Sequence, residues 1–80
     1  MSPTAPQMRT LRLLAQEPAL RRHHSHYKGD YTWIHRGADK PITQNLHSCF
    51  IQGWADVDKD RDIAVITQKG RAVVSSYLEV

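Results

Sequence analysis

The amino-acid order predicts a single small α+β domain, and three observations carry that expectation. Apolar residues recur at helical spacing in three separate stretches, while two turn signals, Lys28-Gly29-Asp30 and Asp58 to Asp62, each stand between runs of strand-forming residues. The chain has only 80 residues, 40% of them hydrophobic. A chain that short buries roughly 60 to 65% of the surface it exposes when unfolded, enough for one modest core and no second domain. Residues 1–80 are therefore read as one domain, with residues 1–3 expected to be loose.

The first helix begins after Thr4, whose side chain can cap it, with Ala5 and Pro6 in the opening turn where proline's missing donor costs nothing. Met8, Leu11, Leu14 and Ala15 form its apolar stripe, Arg9, Arg12 and Gln16 fall elsewhere, and Pro18 ends it. The helical period then vanishes, and Arg21 to His26 and Tyr31 to His35 read as the arms of a β-hairpin, the second alternating aromatic and β-branched residues. A second helix is expected from Thr43 to Gln52, capped by Thr43 or Asp39, with Leu46, Cys49 and Phe50 on its buried stripe. Gly53 can close it in the left-handed conformation, with Trp54 folding back over the last turn. Ala55 to Asp58 and Ile63 to Ile66 make a second hairpin, and Thr67 caps a final helix to Leu78 that turns Ala72, Val73, Val74 and Tyr77 inward.

The net charge is +3, but the two halves differ. Residues 1–40 carry seven Lys or Arg against three acids, and residues 41–80 carry four against five. No run approaches the roughly 18 apolar residues that cross a bilayer, and no cationic, apolar leader opens the chain. With one cysteine, Cys49, the chain makes no internal disulfide, and a cytoplasmic setting without membrane contact is expected.

The string Ile66-Thr67-Gln68-Lys69-Gly70-Arg71 resembles the strand-to-helix junction of winged helix-turn-helix regulators of the MarR-like kind. Leu46 to Trp54, with its Leu, Phe, Gly, Trp spacing, resembles the end of their recognition helix, and together these cover residues 42–74. The resemblance implies a winged helix: helix, hairpin or extended segment, recognition helix, two-stranded wing and C-terminal helix. One departure stands out, because residues 20–36 read as strand where that family has a full helix.

What the resemblance implies for function is double-stranded DNA binding by a transcriptional regulator, with residues 43–52 in the major groove. Gln44, Asn45, His47, Ser48 and Gln52 would face the bases, and Arg21, Arg22, Lys28, Arg36, Lys40, Lys59 and Arg61 the phosphates. A homodimer through the first or last helix would set two such helices about one duplex turn apart. Against this stands the second hairpin, whose Asp56, Asp58, Asp60 and Asp62 surround Lys59 and Arg61 and would repel phosphate. The alternative is a phage-type or accessory protein-binding module that docks on a larger host complex.

Other chemistries find weaker support. Asp56 to Ile63 imitates a calcium loop, but Arg61 stands where glycine is needed and Thr67 where a bidentate glutamate is needed. His23, His24, His26, His47 and Cys49 lack the paired spacing of a structural zinc site, and the three clustered histidines read as part of an anion-binding patch. Tyr27 and Tyr31, beside Lys28, are the rings most open to stacking on bases, the remaining aromatics being expected in the core. No phosphate loop, nucleophile elbow or carboxylate pair points to catalysis, and no motif calls for a cofactor or metal.

Overall fold

The computed structural model describes the backbone of residues 2–78 and side chains through residue 76. Three helices and four strands follow in the order α1 (Ala5–Gln16), β1 (Ala19–His23), β2 (Tyr31–Ile34), α2 (Thr43–Gln52), β3 (Ala55–Asp58), β4 (Ile63–Ile66) and α3 (Gln68–Leu78). The strands form one antiparallel sheet of order β2-β1-β4-β3. The two hairpins read from the sequence are thus fused, because Ala19 and Leu20 of β1 pair with Ala64 and Ile63 of β4. That pairing also explains why β1 starts two residues before the expected arm. It ends at His23, where residues 24–30 form the hairpin tip.

All three helices lie on one face of the sheet, over Ala19, Trp33, Ala55, Ala64 and Ile66, which are all buried. Met8, Leu11 and Leu14 of α1, Leu46 and Cys49 of α2 and Val74 of α3 complete that core. α1 starts with a full capping box: the Thr4 hydroxyl accepts from the Gln7 amide, and the Gln7 side chain accepts from the Thr4 amide. Two expectations for the other helices fail. α2 has no side-chain cap, because Thr43 Oγ1 instead accepts from the Trp33 amide at 2.9 Å. The Ile42 amide also donates to the Trp33 carbonyl, so the start of α2 covers the free edge of β2 at that residue. In α3, Ala72 is exposed rather than inward, and the side chain of Tyr77 lies outside the described residues.

The two motifs singled out in the sequence meet in space. Gly53 closes α2 at φ 78°, with its amide on the Phe50 carbonyl and the Trp54 amide on the Cys49 carbonyl, the paired bonds of a Schellman cap. Thr67 docks on that cap twice, its amide donating to the Trp54 carbonyl and its hydroxyl to the Gly53 carbonyl at 2.7 Å. The same hydroxyl caps α3 by accepting from the Gly70 amide. A Cβ at Gly70 would lie 2.1 Å from the Trp54 carbonyl oxygen, so only glycine lets α3 come this close.

Candidate nucleic-acid interface

The expected reading helix is present, but fewer of its polar residues face outward than its pattern implied. Gln44, Asn45 and His47 are exposed. Ser48 is not part of that surface: its Oγ hydrogen bonds the Gln7 side-chain nitrogen at the contact between α1 and α2. Gln7 thereby joins the α1 cap to the middle of α2. Gln52 is half-buried at the last turn, where its carbonyl accepts from Lys69 Nζ at 3.2 Å. No helix lies between α1 and α2 among the described residues, so the helix-turn-helix that the resemblance implies is replaced by the β1–β2 hairpin.

The seven basic residues assigned to phosphates fall in different places. Arg21 is built into the domain: its guanidinium sits 4.5 Å over the Tyr31 ring and 4.7 Å over that of Trp33, and its Nη1 meets Asp62 at 3.2 Å. Its Nε is buried without a hydrogen-bond partner, which makes it a structural cation rather than an anchor for phosphate. Arg22, one residue on, points to the opposite face of the sheet, and Arg36 also lies on that side, 3.6 Å from Glu17. Lys28 sits at the β1–β2 tip and Lys59 and Arg61 in the β3–β4 turn, both at the sheet end away from the α1–β1 junction. Arg61 Nε is held by Asp58 at 2.9 Å, and this contact keeps the Asp58 carboxyl below the usual carboxylate range. Only Lys40 lies just upstream of α2.

A cation missing from that set stands next to α2. Arg9, exposed on α1, lines a groove shared with Pro6, Thr10, Leu13, Ile42 and Asn45, so a base on the first helix borders the opening turn of the second. The signal was in the sequence, since Arg9 falls outside the apolar stripe of α1. What the sequence did not disclose is that α1 and α2 pack side by side.

The aromatic residues form a chain rather than an open platform. His47 and Phe50, Phe50 and Trp33, Trp33 and Tyr31, and Tyr31 and His23 each lie about 6 Å apart between ring centroids. Tyr31 is half-covered beneath Arg21, whereas Tyr27 is 74% exposed at the hairpin tip. Cys49 is fully buried, and burial pushes its thiol up to about 11. No helix among the described residues is long and apolar enough to cross a membrane. Comparison with protein-family models, curated proteins and solved structures finds no match to this chain.

Proposed function

We propose that the chain is a small winged-helix-like DNA-binding regulator that presents the N-terminal half of α2 to the major groove. The observation that carries this reading is the exposed trio Gln44, Asn45 and His47, bordered by Arg9 across the α1–α2 groove and by Lys40 upstream. Asn and Gln suit the donor and acceptor pair of an adenine edge, and recognition helices read bases with their first turns. The bare start of α2 leaves amides free to meet phosphate oxygens. In this reading the acidic β3–β4 turn stays off the duplex, and the phosphate contacts come from Arg9 and Lys40 rather than from Arg21.

Anisotropy titration of a random-sequence duplex across a salt series tests it. Arg9→Ala combined with Lys40→Ala should flatten the slope of log affinity against log salt by about 2, the loss of two phosphate contacts. Arg21→Ala should leave that slope unchanged. A protein that holds no duplex at low salt and micromolar concentration refutes the reading.

One observation favours the second reading, a protein-docking module. Ile51 is 84% exposed near the C-terminal end of α2, a large apolar group outside the N-terminal turns that would read bases. Ile51→Lys should strengthen or spare duplex binding if α2 reads DNA, and should abolish complex formation if α2 docks on a protein.

A further inference from the structure

Strand β4 is apolar on both faces, and β1 and β2 each add one aliphatic residue, Leu20 and Ile34, to the face that the helices leave open. Register places Leu20, Ile34 and Ile63 side by side in one row across the other face. Val65 follows two residues after Ile63, and Pro18 completes the patch next to Leu20. Leu20 is 55% exposed, a large apolar side chain in the middle of a sheet, while Ile34 beside it is half-buried and Ile63 is 9% exposed. The helices offer no comparable surface among the described residues, because Met8, Leu11 and Leu14 of α1 and Val74 of α3 are spent on the core.

Charge is sorted across the same face. Asp56 and Asp58 share it with Ile63 along the β3 edge, since Ala55 and Val57 take the alternate positions toward the core. Arg36 stands at the end of β2 on the far side and is 87% exposed, in loose contact with Glu17. Asp56 and Asp58 on one edge and Arg36 on the other flank the row of Leu20, Ile34 and Ile63, with Arg22 beyond Leu20 toward the hairpin tip, and a half-turn about an axis parallel to the strands sets each charged edge against its opposite.

We infer that the open face of the sheet is a homodimer interface, in which two copies stack sheet on sheet with strands aligned. That axis sets Leu20 of each copy against Ile63 of the other and brings each Arg36 over the second copy's Asp56. A half-turn about the perpendicular in-plane axis would instead oppose the two acidic edges. The arrangement differs from pairing through the first or last helix. It leaves both α2 helices on opposite outer surfaces, so a DNA-binding dimer of this kind would join two duplex segments rather than clasp one. That last consequence rests on the DNA reading, whereas the self-association does not.

Sedimentation equilibrium of the full chain, without nucleic acid, tests the interface. The wild-type protein should sediment as a monomer–dimer equilibrium, and Leu20→Lys should weaken it by at least about 30-fold while leaving the circular dichroism spectrum unchanged. Arg36→Asp should weaken it about 10-fold by setting like charges together, and adding Asp56→Arg should restore it. A wild-type protein that stays monomeric to its solubility limit overturns the inference, as does a dimer that survives Leu20→Lys. Failure of the double reversal to recover association overturns the proposed axis. None of these outcomes bears on duplex binding by the monomer.

Discussion

The two faces of the sheet use similar side chains to different ends. On the covered face, small residues (Ala19, Ala55 and Ala64) let the helices approach, and one large ring, Trp33, fills the space between them at 0% exposure. On the open face, Leu20, Ile34 and Ile63 stand in a row that no helix covers, with Leu20 exposed, Ile34 half-buried and Ile63 screened by its neighbours. An antiparallel sheet with one solvated face normally alternates apolar and polar residues. β4, Ile63-Ala64-Val65-Ile66, does not alternate at all, so its composition is that of a strand covered on both sides. The difference teaches that the core of this chain ends at the helix side, while its apolar pattern extends one layer further.

Substitutions separate the faces most sharply at their centres. Trp33→Ala removes the ring that Tyr31, Phe50 and Arg21 all pack against, and should cost about 3 to 5 kcal/mol in urea unfolding followed by circular dichroism. Leu20→Ala on the open face should change the monomer's stability by less than about 1 kcal/mol, because that side chain already stands largely in water. A comparable loss at both positions would mean that the open face belongs to the folding core of the single chain. Gly70→Ala should follow Trp33→Ala in size, at about 3 kcal/mol, since the backbone carbonyl of Trp54 cannot yield as a flexible side chain would.

The ion pair that joins the hairpins on the covered side is a smaller lever. Asp62 takes a left-handed conformation, φ 55°, and aims its carboxylate at Arg21 and His23. Asn tolerates that backbone as well as Asp does, so Asp62→Asn isolates the charge. It should cost about 1 kcal/mol, with Arg21 left over the two rings but without its counter-ion. Asp62→Gly suits the turn but removes the same contact, and the difference between the two variants measures the backbone contribution.

Much of this architecture was legible in the sequence, for physical reasons that differ by element. Thr4, Gly53 and Thr67 announce helix ends because their chemistry is local: each acts on amides or carbonyls within a few residues. Neither Thr43 nor Asp39, the two caps the sequence offers for α2, fills that role, and the Thr43 hydroxyl is claimed by Trp33, ten residues away, a long-range competition that spacing does not reveal. The same applies to the site. Arg21 and Ser48 look exposed in a polar run, yet one is drawn over two rings and the other onto Gln7, while Arg9 gains its relevance only from the packing of α1 beside α2. The fusion of the two hairpins into one sheet likewise depends on Ala19 finding Ala64, a pairing with no local signature.

Titration gives the mildest contrast between the faces, because each has one perturbed group and the two act at opposite ends of the pH scale. On the open face, Asp58 accepts from the Arg61 side chain and from the Asp60 and Arg61 amides, which lowers its carboxyl below the ordinary range. A depressed carboxyl supports the fold above its unfolded value, and the support is lost as pH falls through the folded one. On the covered side, Cys49 is raised from 9.0 to about 11 by burial. Its contribution is complete below pH 9 and disappears as pH rises toward 11, where the thiolate demands water. Asp58→Asn should therefore flatten only the acid limb of a stability profile measured by urea unfolding, and Cys49→Ala only the alkaline limb. Alkylation supplies an independent reading of the same asymmetry. Iodoacetamide at pH 8 should label Cys49 no faster than the chain opens, and urea should raise the rate in step with loss of the circular dichroism signal. Rapid labelling of the folded protein would mean that α2 lifts from the sheet far more readily than its packing over Trp33 implies.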